Sequence, residues 1–188
     1  MSLLINKVHK WAFVHIPKTG GTSVNKVLLN QEGTEFITSH DSIRMVPDEN
    51  FFIFTTVRNP YTRFFSAWLH GIRKNIYPSD FGSFLKQFNE SDVWFLPQTY
   101  YIEQGKTNNR KVSYIAKYEN IRKDVNKAFE RINIHSPLPH LNKNPIYEKH
   151  PNLNQEKYYS FLYTDEIKMW VRERYKDDFK QFNYELEI

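Results

Sequence analysis

The chain has 188 residues, 40% of them hydrophobic, with 15 Phe, 12 Tyr and 4 Trp, which excludes a disordered chain and leaves ample material for a core. It has no cysteine, so disulfide frameworks and thiolate metal sites are excluded. The net charge of +5 favours an anionic partner, yet no run of basic residues marks a nucleic-acid tail. The length predicts one domain over residues 1–188. Asn6, Lys7, His9 and Lys10 break the apolar N-terminal stretch, which rules out a signal-peptide core. No apolar run approaches the ~18 residues needed to cross a bilayer, so no membrane partner is expected.

Residues 11–16, WAFVHI, form a near-continuous apolar run that predicts a strand covered on both faces. Val24, Val27 and Leu28 then recur at helical spacing, predicting a helix over 22–29 capped by Thr22 or Ser23. Residues 51–57, FFIFTTV, predict a second buried strand. Pro60 suits the first turn of a helix, and Tyr61, Phe64, Phe65, Trp68 and Leu69 carry it to about residue 74. A short helix is expected over 79–88, where Phe81, Phe84, Leu85 and Phe88 share a face. No structure is assigned to 89–111. A third strand over 112–118 and a helix over 120–132 follow. The turn-rich HSPLPHLNKNP, 135–145, reads as a loop fit for an irregular functional segment. Thr164-Asp165 opens a last helix running to about Phe182. Alternation of strands and helices predicts an α/β fold with a central, mainly parallel sheet flanked by helices.

The stretch FVHIPKTGGTSVNKVLL, 13–29, reads as strand, glycine loop and helix. That layout gathers backbone N–H groups at a helix start, where the dipole adds partial positive charge. Gly20 and Gly21 permit positive φ and close approach of an anion, Lys18 adds charge, and Thr22 and Ser23 offer hydroxyls. The nucleotide-binding pattern G-x-x-x-x-G-K-[ST] does not fit, because the lysine precedes the glycines. A plain glycine turn with a helix cap is the bland alternative. A second cluster, TTVRNPYTRFFSAW, places Arg58 after the second strand and Ser66 eight residues later. A guanidinium at the carboxyl edge of such a sheet suits bidentate pairing with phosphate. Read alone, Arg58 could equally pair with a surface carboxylate. Together the two clusters point to a ligand with two phosphate-like ends.

HIPKTGGTS followed by VRNPYTRFFSAW resembles the sulfotransferase superfamily, in particular its carbohydrate sulfotransferase branch. QTYY, IAKYENI, LPHLNKNP and YKDDFKQFNYE resemble segments of that branch in the same order. The resemblance implies a P-loop-like three-layer fold and the donor 3′-phosphoadenosine 5′-phosphosulfate (PAPS), leaving as 3′-phosphoadenosine 5′-phosphate (PAP). It implies that Pro17, Lys18, Thr19, Gly20, Gly21, Thr22 and Ser23 hold the 5′-phosphosulfate, and that Arg58 and Ser66 hold the 3′-phosphate. No metal is expected, and no acidic metal ligand follows the second strand. Lys18 would neutralise charge on the leaving phosphate. His40, between the two motifs, matches the position of the family's general base. His140 is the next candidate, while His15, inside a buried strand, reads as a core histidine. Tyr100 and Tyr101 could stack on a ring or belong to the core, Arg63 could support the phosphate site or an ion pair, and Lys143 is a weaker donor contact.

The leading expectation is therefore a PAPS-dependent sulfotransferase acting on a hydroxyl of a carbohydrate, with no nucleic-acid partner. The absence of an anchor and of cysteine favours a cytoplasmic enzyme. The alternatives are a P-loop-like nucleotide kinase using ATP and Mg²⁺, and a non-catalytic module that binds anions or polysaccharide. The acceptor and the oligomeric state are not legible in the sequence.

Overall fold

The computed structural model describes residues 2–37, 42–103, 111–139 and 163–187, which form a mixed α/β fold. His40, His140, Asn142, Lys143 and His150 lie outside them. The described chain divides into two compact units, one holding residues up to 58 and those from 98 to 139, the other holding 59–97 and 163–187.

The first unit is built on a five-stranded sheet: β1 (Ser2–Asn6), β2 (Trp11–His15), β3 (Thr34–Ile37), β4 (Phe52–Val57) and β5 (Tyr114–Lys117), in the order β3-β1-β2-β4-β5. β2 pairs in parallel with β4, and β4 with β5. β1 pairs antiparallel with both β2 and β3. Hence β2, β3, β4 and β5 run in one sense and β1 alone runs against them. The sheet is thus mainly parallel, as expected, with β1 as its antiparallel member. Only four residues, Lys7 to Lys10, join β1 to β2, and so short a connection can close only a hairpin; a parallel crossover needs roughly a dozen residues or more. Asn6 shapes the turn by accepting from the His9 N–H at 2.9 Å.

Apolar side chains in register stack across the sheet: Leu4 faces Phe13, and Phe13 faces Phe54, with ring centroids 5.0 Å apart. Two helices bury their apolar stripes on this face, α1 (Gly21–Leu28) through Val24, Val27 and Leu28, and α5 (Ile121–Arg131) through Val125, Ala128 and Phe129. A helix in the stretch left unassigned, α4 (Gln98–Glu103), also belongs to this unit.

The second unit is helical: α2 (Pro60–Arg73), α3 (Phe81–Gln87), α6 (Asp165–Arg174) and α7 (Lys176–Phe182). Three of these four helix starts carry side-chain caps, the one at Thr164 as the sequence suggests. Asn59 accepts from the Tyr61 N–H, Asp80 from Ser83 and Thr164 from Ile167. The aromatic stripe of α2 meets those of α3 and α6 around Phe64. The single expected helix over 164–182 is broken at Tyr175, whose backbone leaves helical values and whose buried hydroxyl donates to the Phe95 carbonyl at 2.9 Å.

Candidate active site

β2 delivers the chain into a loop of unusual backbone. Lys18 has φ 69° and Gly20 has φ 84°, so a lysine occupies the left-handed region two residues before a glycine does. That conformation is uncommon outside glycine, asparagine and aspartate, and it costs about 1–3 kcal/mol unless the surroundings impose it. The surroundings are visible. The Thr19 hydroxyl is buried and donates to the Ile16 carbonyl at 2.8 Å, leaving the Thr56 hydroxyl to donate to Thr19 Oγ1 at 2.8 Å. This pair ties the loop to β4. Any contact of Thr19 with an anion is therefore through its backbone.

The two glycines answer to different constraints. Gly20 needs its positive φ, and a Cβ there would come within 2.6 Å of the Ile121 side chain and 2.9 Å of the Tyr118 ring. Gly21 is helical, but a Cβ would stand 2.2 Å from the His15 ring. Gly20 is also the N-cap of α1, and no side chain caps that helix start. The expected cap at Thr22 or Ser23 is thus corrected. Thr22 is exposed, and the Ser23 N–H bonds to the Gly20 carbonyl at 3.1 Å.

His15 sits behind this turn. Its Nδ1 accepts from Asn25 Nδ2 at 3.1 Å and faces Ser2 Oγ at 3.2 Å. Burial pushes its pKa down to about 4, so the ring is neutral at ordinary pH and committed to the fold. The reading of His15 as a core histidine agrees with this.

Arg58 leaves the carboxyl end of β4 with only 4% of its surface exposed. Its guanidinium donates from Nη1 to the Lys18 carbonyl at 3.3 Å and lies over the Tyr118 ring, 4.2 Å from the centroid. Its backbone is gripped by Gln98 on α4, whose Oε1 accepts from the Arg58 N–H and whose Nε2 donates to the Arg58 carbonyl, both at 2.8 Å. The structure thus brings Lys18, Gly20 and Arg58 together, with Tyr118 and Gln98 beside them. The model of the sulfotransferase family matches residues 1–185. The chain belongs to the sulfotransferase family. No curated protein and no solved structure matches it.

Membership of the sulfotransferase family implies a sulfonate donor and a hydroxyl-bearing acceptor, and the carbohydrate branch is consistent with it. The loop fits an anionic donor: its left-handed residues curl the backbone, and the start of α1 carries no side-chain cap to compete with a ligand. The remaining sequence candidates fall as follows. Ser66 is half-buried on α2, in the second unit. Arg63, in the same unit, is 1% exposed and donates from Nη2 to the Trp94 carbonyl at 3.3 Å. Tyr101 is a core residue at 1% exposure, whereas Tyr100 is exposed. Among the described residues no three His, Asp or Glu side chains gather as a metal site requires. No helix among them is long and apolar enough to cross a membrane. Sequence reasoning missed the parts played by Gln98 and Tyr118. Both lie in motifs quoted for the family resemblance, QTYY and IAKYENI, but nothing in their residue types announces contact with a residue 40 or 60 positions away.

Proposed function

We propose that this chain is a PAPS-dependent sulfotransferase that moves a sulfuryl group to a carbohydrate hydroxyl. The observation that carries this reading is the joining of the 17–21 loop to Arg58 through the Lys18 carbonyl, within a family whose members transfer sulfonate groups. Backbone N–H groups of residues 19–22, with the Thr22 and Ser23 hydroxyls, cradle the 5′-phosphosulfate in a P-loop-like strand–loop–helix. Arg58 meets the 3′-phosphate. Ser66 is assigned to the same phosphate on its place in the sequence motif alone.

In-line transfer of this kind has a loose transition state, so positioning and charge stabilisation supply most of the catalysis. The acceptor oxygen bonds to sulfur as the bond from sulfur to the bridging phosphate oxygen breaks. Lys18 and the helix-start N–H groups hold the charge that grows on the departing phosphate. His40 takes the hydroxyl proton. It follows three positions after the end of β3, which runs in the same sense as β2 and β4 and so ends at the same edge of the sheet. The family match runs through both units, which supports reading residues 1–188 as one sulfotransferase domain. The reading includes no metal, no nucleic acid and no membrane, and a cytoplasmic enzyme, in keeping with the lack of cysteine.

The test is a calorimetric titration with PAP and, separately, with ATP and Mg²⁺. Tight PAP binding, with sulfate transfer from PAPS to a saccharide panel, supports the proposal. Preference for ATP with Mg²⁺ returns the kinase reading, and anion binding without turnover returns the binding module.

A further inference from the structure

Gln98 opens α4 and is wholly buried, with 0% of its surface exposed. Its amide meets both backbone groups of a single residue, Arg58, at 2.8 Å each. The place explains the need. β4 and β5 pair in register from Phe54–Tyr114 to Val57–Lys117, and there the ladder ends. Arg58 is the next residue, and it is buried, so its N–H and C=O require partners that the sheet no longer supplies. A primary amide carries an acceptor and a donor side by side, as a strand's backbone does. Gln98 therefore adds one rung to the ladder at the point where the chain turns irregular. With φ and ψ of Arg58 held, its side chain leaves in one direction, along the face of Tyr118 to the Lys18 carbonyl.

We propose that Gln98 is a positioning residue for donor selectivity: it fixes the backbone of Arg58 so that the guanidinium is set for the 3′-phosphate before the donor arrives. The inference rests on the sulfotransferase reading, in which Arg58 meets that phosphate. A preorganised cation gains more from a ligand than one that must be ordered on binding, and a small misplacement loses most of the benefit.

The experiment compares the affinities of PAP and of adenosine 5′-phosphate, which lacks the 3′-phosphate, by calorimetry. The proteins are wild type, Gln98→Met, Arg58→Ala and the double variant. Gln98→Met keeps the length of the side chain and removes both hydrogen bonds. The expected result is a loss of about tenfold in PAP affinity with adenosine 5′-phosphate changed by less than about twofold. In the Arg58→Ala background the same change should cost nothing further in PAP preference, because the two residues act as one unit. Where Gln98→Met does not fold, Gln98→Glu keeps the acceptor for the Arg58 N–H. A direct repulsion between its carboxylate and the 3′-phosphate would persist without Arg58, so the same cycle separates repulsion from positioning. Equal weakening of both nucleotides, or full additivity with Arg58→Ala, overturns the role of Gln98 while leaving the sulfotransferase reading in place. A wild-type protein with no preference for PAP overturns that reading, and this inference with it.

Discussion

The sheet unit and the helical unit bury different chemistry. In the helical unit the centre is aromatic. Phe64 meets the rings of Phe65, Trp68, Phe81, Phe84, Phe95 and Trp170 at centroid distances of 5.2 to 6.4 Å. Such rings gain from edge-to-face contact as well as from burial, and their hydrocarbon needs no polar partner. In the sheet unit, Thr19, Thr55, Thr56, Arg58 and Gln98 are all buried near the carboxyl end of β2 and β4; Thr19 bonds to the Ile16 carbonyl and Gln98 to the Arg58 backbone, both just past a strand end, while Thr55 bonds to the Val14 carbonyl within β2. The difference teaches where each kind of damage should appear. Loss of a ring in the helical unit should register as stability, and loss of a polar group near the loop as donor binding and turnover.

The largest effect expected from this contrast is that of Phe64→Ala. Phe64 is 1% exposed, and truncation of a buried phenylalanine costs about 3–5 kcal/mol. Urea unfolding should show that loss, while the protein still folded binds PAP as wild type does. Weakened PAP binding by fully folded Phe64→Ala would break the separation of tasks.

A somewhat smaller effect is expected from His15, which tests whether the turn at the start of α1 is held by a neutral ring. Its folded pKa, about 4, lies below the unfolded value of 6.5. Between those two values the unfolded chain binds a proton that the folded chain does not, so stability rises with pH across that window and is lost as pH falls through it. The depression corresponds to roughly 3 kcal/mol between pH 7 and pH 4. The stability gap between wild type and His15→Gln should shrink by about that amount over the same range. A gap independent of pH would remove His15 from this role.

The smallest of the three belongs to Lys18→Ala. Its turnover should fall ~10²-fold or more, equivalent to roughly 2.7 kcal/mol of transition-state stabilisation, with the melting temperature unchanged. The side chain is only part-buried, and the carbonyl that receives Arg58 remains in the variant. A large fall in melting temperature would make the lysine a structural member of the loop and blur the contrast at the point where it should be sharpest.

Much of this architecture was legible in the sequence because its signals are local. The runs at 11–16 and 51–57 became β2 and β4, the spacing from Tyr61 to Leu69 became α2, and Thr164 became a cap. β1 was not legible, because only its pairing on both sides explains why SLLIN is fully buried. The break at Tyr175 escaped for a related reason: apolar spacing by four runs straight through it, and the bond to Phe95 that accompanies it comes from 80 positions away. At the site, Lys18, Gly20, Gly21 and Arg58 carried their own chemistry in sequence. The left-handed backbone of Lys18 did not, since a residue other than glycine adopts it under tertiary constraint. Gln98 had no periodic pattern around it and acts on a backbone 40 positions away. The expected role of His40 falls on residues outside those described.

The grip of Gln98 on Arg58 also bears on how the protein is made. These two residues are the last of one segment of the sheet unit and the first of the next, with residues 59–97 between them. A ribosome therefore releases β1 to β4 well before β5 exists, and β4 waits with one edge unpaired while the helical residues emerge. Pairing across so long a separation is slow, and an unpaired edge is the kind of surface on which nascent chains associate. The amide clasp closes the excursion at its base. It marks the seam at which the stretch 59–97 could be shortened, exchanged or reopened as new chain ends without redrawing the sheet.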